Sequence, residues 1–276
     1  MPTARLAEVA GRRPSAGEAS CETLPVTDPD DGPGEQSGIR DELERMLSLP
    51  GKLIPTSVIV PAWRRLTDGE STWPVRFAVV VATALQVLLP NRYEIPPTWL
   101  LPTLGALLGI GLSIAHPRRI TKHSPQLRLV SMLLIATITL ANAGSAGRLI
   151  TALLQGRAHE SATTLLLTGG AIWLTNVIVF GMWYWNLDRG GPAARAQALK
   201  SYPDFLFPQM TSPDLSPPDW QPQFFDYLYL SFTNAAAFSP TDTLPLARWA
   251  KMAMMLQSIV SLGTVVLVVA RAVNIL

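Results

Sequence analysis

What most constrains this chain is a series of apolar stretches that carry almost no charge, each about 14–20 residues long and separated by polar or proline-rich breaks. Wound as a helix at about 1.5 Å per residue, such a stretch approaches the length that crosses a hydrocarbon core of roughly 30 Å. Only 15% of the residues are charged, against about 25% in a typical soluble domain. A backbone facing lipid must satisfy its hydrogen bonds within itself, which an α-helix does inside one segment. The expected fold is therefore all-α: an integral membrane bundle of about five transmembrane helices plus one re-entrant or short pore-type helix.

The charge is concentrated at the start. Residues 1–50 hold ten acidic and five basic side chains and read as a disordered acidic tail, with too little apolar surface to offset ordering entropy. Within it, 38–49 carries a short amphipathic pattern (Ile39, Leu43, Met46 and Leu47). No apolar leader core is seen there. The single cysteine, Cys21, lies in this tail and permits no disulfide within the chain. Residues 51–72 form a proline-broken juxtamembrane segment.

A four-helix transmembrane region is expected over 73–191, with spans near 73–90, 99–116, 129–146 (extending as helix to 154) and 164–185. The fourth ends in Trp183-Tyr184-Trp185, an aromatic belt suited to headgroups, followed by Asp188-Arg189-Gly190-Gly191-Pro192, which stops the helix. Residues 192–223 carry seven prolines and are read as a loop, since proline removes a backbone donor and fixes φ. The region 224–276 then gives an apolar piece at 224–238, a polar turn, and a last span near 252–270. The piece 224–238 is short for a crossing and is expected to be re-entrant; the alternative, a full crossing, gives six spans, returns the C-terminus inside and strands Arg248 and Lys251 outside.

The positive-inside rule orients this layout. With the N-terminus cytoplasmic, Arg64, Arg65, Arg76, Arg118, Arg119, Lys122, Arg128, Arg189, Arg195, Lys200, Arg248 and Lys251 face the cytoplasm. Arg92, Arg148, Arg157 and Arg271 fall on the other side.

No catalytic motif, phosphate loop or dinucleotide fingerprint is present. His116, His123 and His159 lack metal-site spacing. Neither an enzyme, a cofactor, a metal site nor a nucleic-acid partner is expected. The residues that could carry function cluster at the end of the chain. Asp226 is placed to cap a short helix, and Asp188 with Arg189 is a candidate structural or interfacial pair. Thr233, Asn234, Ser239, Thr241 and Asp242 are the candidate ion path, with Asp242 as a cation-attracting mouth.

From Asp226 to Arg271 the order is a short aromatic helix, a Ser/Thr/Asp turn, Pro245, and a long final helix. This resembles the pore helix, filter and inner helix of potassium-channel-type proteins, over roughly the last 50 residues. Aligning Asp242 and Pro245 puts Ala237-Phe238-Ser239-Pro240-Thr241 on that family's Thr-Val-Gly-Tyr-Gly. Both glycines are replaced, and Pro240 fixes φ between them, so a stacked carbonyl ring selective for potassium is not expected. Over about 73–276 the chain also resembles a domain family of unknown function among bacterial multi-pass membrane proteins. The residues carrying that likeness are Trp183–Trp185, Asp226–Phe232 and Ser239–Asp242. It implies a bacterial inner-membrane location and a multi-pass topology, but no substrate. The function classes that remain are a poorly selective cation channel or pore-like protein constricted at 233–242, acting as a homo-oligomer on monovalent cations; a membrane scaffold that binds a partner; and a small transporter. The last is weakened by the lack of a mid-span carboxylate or histidine.

Overall fold

The computed structural model describes residues 61–90, 93, 96–115, 124–157, 161–236 and 242–275. The acidic tail with its amphipathic stretch, Cys21, the three histidines, most of the basic loop after Ala115, and Ser239 and Thr241 of the candidate path lie outside the described residues.

The chain is mostly helical. The α-helices among the described residues are α1 (Trp73–Val87), α2 (Leu100–Ala115), α3 (Pro125–Leu154), α4 (Ala162–Leu187), α5 (Pro192–Ala196), α6 (Pro208–Thr211), α7 (Phe224–Ala236) and α8 (Arg248–Ile275). Among the described residues three helices are long and apolar enough to cross a membrane: α3, α8, and α4 with its 3-10 extension to Gly190. The helices α1 and α2 are apolar but shorter, about 23 Å each at the usual rise.

Local chemistry sets the ends. Proline opens α1 and α3, where the missing N–H costs nothing. The Ser161 hydroxyl accepts the Thr164 N–H at 3.2 Å and caps α4. At its other end, Gly190 and Gly191 take φ of 86° and 96°, a region open to glycine, and turn the chain sharply. The expected start of the third span moves back to Pro125, which puts Arg128 on the first turn of α3 instead of in a loop. Likewise α8 begins at Arg248, four residues before the expected start, so that Arg248 and Lys251 lie on its first turn.

The segment 192–223, expected as a loop, contains α5, α6, a 3-10 turn at Pro213–Leu215, and a two-residue strand β1 (Phe205–Leu206). Proline sits at the first positions of these short helices, which is why so many prolines are compatible with helical turns. Strand β1 pairs antiparallel with β2 (Leu244–Pro245), Phe205 opposite Pro245 and Leu206 opposite Leu244.

The core forms around α4, which packs antiparallel to α8. Tyr184 meets Gln257, Asn176 meets Ser261, and Gly169 meets Val268 along the pair. A Cβ on Gly169 would lie 2.8 Å from the Val268 methyls, so the small residue sets the closeness of the two helices. Between them α7 runs antiparallel to α4. Leu228 packs on Gly181, Ser231 bonds Val177, and Phe232 stacks edge-on to Trp173 at 5.6 Å. On the other flank, Gln86 of α1 donates to Asn142 of α3 at 3.1 Å, and both are buried.

Candidate functional site

Where α4 ends and α7 begins, charged side chains gather in the interior. Asp188, Arg189 and Tyr227 are at most 1% exposed. A buried charge is tolerated only when paired and hydrogen-bonded, and here nearly every polar atom has a partner. The Tyr227 hydroxyl donates to Asp188 Oδ2 at 2.5 Å, and the Asp204 N–H donates to Asp188 Oδ1 at 2.9 Å. In return, Arg189 N–H donates to Asp204 Oδ2 at 2.8 Å, and Trp249 Nε1 to Asp204 Oδ1 at 3.1 Å.

Two guanidiniums complete the cluster. Arg189 Nη1 donates to the Trp63 carbonyl at 2.6 Å, its guanidinium carbon 5.3 Å from the Trp63 ring centre. Its backbone has φ 52°, uncommon for a residue with a Cβ, and the bonds to Asp204 and Trp63 hold it there. Arg195 forms an ion pair with Glu70, Nη2 to Oε1 at 2.7 Å, and donates to the Trp185 carbonyl at 2.6 Å. The other Glu70 oxygen accepts Trp185 Nε1 at 2.6 Å. Burial opposes the charge on Arg195, but Tyr227, Glu70 and Asp188 around it outweigh that effect and hold its pKa above the usual guanidinium range.

Below this cluster a second, uncharged network ties α7 to its neighbours. Gln257 is fully buried. It accepts from Tyr184 at 2.7 Å and from Asn234 Nδ2 at 2.8 Å, and its Nε2 donates to the Ser231 hydroxyl and carbonyl at 2.7 and 2.8 Å. The Ser231 hydroxyl continues to the Val177 carbonyl at 2.6 Å.

These contacts locate the residues expected to matter. Asp188 and Arg189 lie in the interior, with Glu70, Arg195, Asp204 and Tyr227 gathered around them. Asp226 Oδ2 accepts the Gln223 N–H at 2.7 Å and closes the start of α7, the reach-back of a capping box. Asn234 donates to Met254 O and Gln257 Oε1, and Thr233 Oγ1 lies 3.0 Å from the Leu230 carbonyl of its own helix. Asp242 is exposed. Sequence reasoning did not single out Glu70, Arg195, Asp204, Tyr227 or Trp249 as partners. The available signal was a charged pair directly after an aromatic belt, followed by a loop rich in aromatic residues.

The geometry also fixes the course of the chain. Tyr227 near the start of α7 bonds Asp188, and the far end of α7 reaches Trp173, about 21 Å along α4 from Leu187. Asp204, itself bonded to Asp188, accepts the Leu246 N–H at 2.8 Å and the Ala247 N–H at 3.3 Å. The helix α7 thus leaves the cluster and runs about half the length of α4, and Leu246, ten residues after Ala236, is again bonded at the cluster. Among the described residues no group of His, Cys, Asp and Glu could hold a metal ion. Comparison with family models, curated proteins and solved structures finds no match.

Proposed function

We propose that the chain is a multi-pass membrane protein whose C-terminal unit, α7, the turn to Asp242, and α8, acts as a re-entrant pore element for monovalent cations. In this reading five helices cross the bilayer: α1, α2, α3, α4 and α8. The cluster around Asp188 lies at the cytoplasmic face, where the excess of Lys and Arg falls. Several copies surround the conduction path, and the constriction is the stretch 233–242.

The observation that carries the reading is that Tyr227, near the start of α7, and Leu246, just before α8, are both held by the Asp188–Asp204 pair, while the far end of α7 lies beside Trp173. Irregular backbone at half depth is tolerated only where protein surrounds it or a watery cavity receives it. The exposed carboxylate of Asp242 then supplies negative charge at the mouth. Without the two filter glycines, discrimination between potassium and sodium is expected to be weak.

Purified protein in liposomes should pass potassium and sodium at similar rates. Asp242→Asn should reduce that flux at low salt without lowering the amount of protein, and the deficit should shrink as salt screens the exposed charge. Electrically silent liposomes holding intact, folded oligomer would overturn the reading. The satisfied bonds of Asn234 would then favour a sealed arm in a partner-binding scaffold.

A further inference from the structure

A cavity of about 860 Å³ opens between α1, α2, α3, the end of α4 and the Gly190–Ala193 turn. It is open to the surroundings, since Val80, Val87, Leu88 and Ile110 of its wall are exposed. An open groove with so apolar a wall suits an apolar guest and does not suit water. Its wall is graded. Along α1 from Val79 to Leu88 and along α2 from Ala106 to Ile110 it is lined almost wholly by aliphatic groups. At the end nearest the charge cluster it is lined by Arg76, Ser113, Arg128, Ser131 and Asn186.

Among the described residues no Asp or Glu lines the cavity, and the charged groups at that end are the two arginines. Arg76 Nη2 donates to the Ser113 carbonyl at 3.0 Å. Arg128 Nε is buried without a hydrogen-bond partner among the described residues, an arrangement that costs free energy unless an acceptor arrives. From Arg76 to Leu88 the wall extends about 18 Å, close to the depth of one leaflet of a 30 Å core.

We infer that this cavity is a binding site for an anionic phospholipid of the surrounding bilayer, its phosphate held by Arg76 and Arg128 and one acyl chain lying between α1 and α2. Basic pockets between transmembrane helices on the cytoplasmic side recognise anionic headgroups in this way. The aliphatic wall excludes a fully hydrated anion, and the two arginines disfavour a zwitterionic headgroup. The inference rests on membrane insertion but not on conduction.

The test uses full-length protein taken from bilayers of equal phosphatidylglycerol and phosphatidylcholine, stripped of loosely held lipid, and weighed intact by native mass spectrometry. Wild type should retain one phospholipid per chain, with phosphatidylglycerol enriched roughly tenfold. Arg128→Gln should cut the enrichment about fivefold, and Arg128→Lys should keep most of it. Ala84→Phe, which fills the aliphatic wall, should lose lipid of both kinds. Equal retention of the two lipids by wild type would overturn the inference, and that comparison needs no variant to fold. So would a retained fatty acid in place of a phospholipid, or unchanged lipid on Ala84→Phe. A chain that fails every flux assay can still pass this test, which separates it from the pore reading.

Discussion

Asp188 and Arg195 carry the strongest constraints on single residues. Among the described residues the buried side-chain atoms of the cluster that lack a partner are the Nε atoms of Arg189 and Arg195 and the Trp63 Nε1. Removing one member leaves the other desolvated without compensation, which costs more than the pair itself contributes. Arg195→Met should therefore destabilise the protein by about 3–5 kcal/mol, because Glu70 and the Trp185 carbonyl lose their donor. Tyr227→Phe removes only one donor from Asp188 and should cost about 1.5–3 kcal/mol. Thermal unfolding of the detergent-solubilised protein, followed by loss of the monodisperse peak, should rank the two in that order. Equal, negligible losses would mean that water replaces both groups and that the cluster is not a lock. Asp188 and Arg189 were visible in the sequence as a charged pair after an aromatic belt. Their depth was not, because the covering groups come from other segments: Asp204 beyond the prolines of the next loop, Trp249 on α8, and Trp63 and Glu70 before α1. Spacing within one segment cannot reveal partners supplied by another, least of all those more than a hundred residues distant.

Among the elements, α7 depends most on its neighbours. Its length of 13 residues is marginal for an isolated helix in water, and it is held by Gly181, Ser231 and Gln257. A Cβ at Gly181 would stand 3.1 Å from Leu228 Cα, a backbone atom that cannot swing aside. Gly181→Val should push α7 away from α4 and stretch the Ser231–Val177 and Gln257–Ser231 bonds, at a cost of about 1–3 kcal/mol. The loss should appear as faster proteolysis between Phe224 and Arg248, with the rest of the bundle intact. An unchanged digestion pattern would show that α7 sits elsewhere. The short apolar length of α7 and its capping aspartate were legible from the sequence, as were the three long helices, since these follow from local composition. The helical turns in 192–223 were not. Seven prolines suggested a loop, yet proline at the first position of a helix is compatible with it. The β1–β2 pairing could not be read either, because two residues are too few to carry a period.

At the level of the molecule, the bundle has one end rich in buried charge and aromatic contact and a long apolar flank on α8. Met252, Met255, Leu256, Ile259, Leu262, Val266 and Val273 are all exposed along it, which suits lipid or a second copy and does not suit water. The sequence made this apolar character plain. It could not reveal the cavity between α1 and α2, because a void depends on how helices splay and not on which residues they contain. The proposed re-entrant course puts Gln223 and Leu246 on the same side of the membrane. Single cysteines at Gln223, Leu246 and Arg157, in a Cys21→Ala background, test this directly with a membrane-impermeant maleimide added to either side of sealed vesicles. All three native side chains are exposed, and Arg157 marks the opposite end, in the turn between α3 and α4. Gln223→Cys and Leu246→Cys are expected to label from the same, cytoplasmic side while Arg157→Cys labels only from the other. Labelling of positions 223 and 246 from opposite sides would make α7 a full crossing and contradict the account.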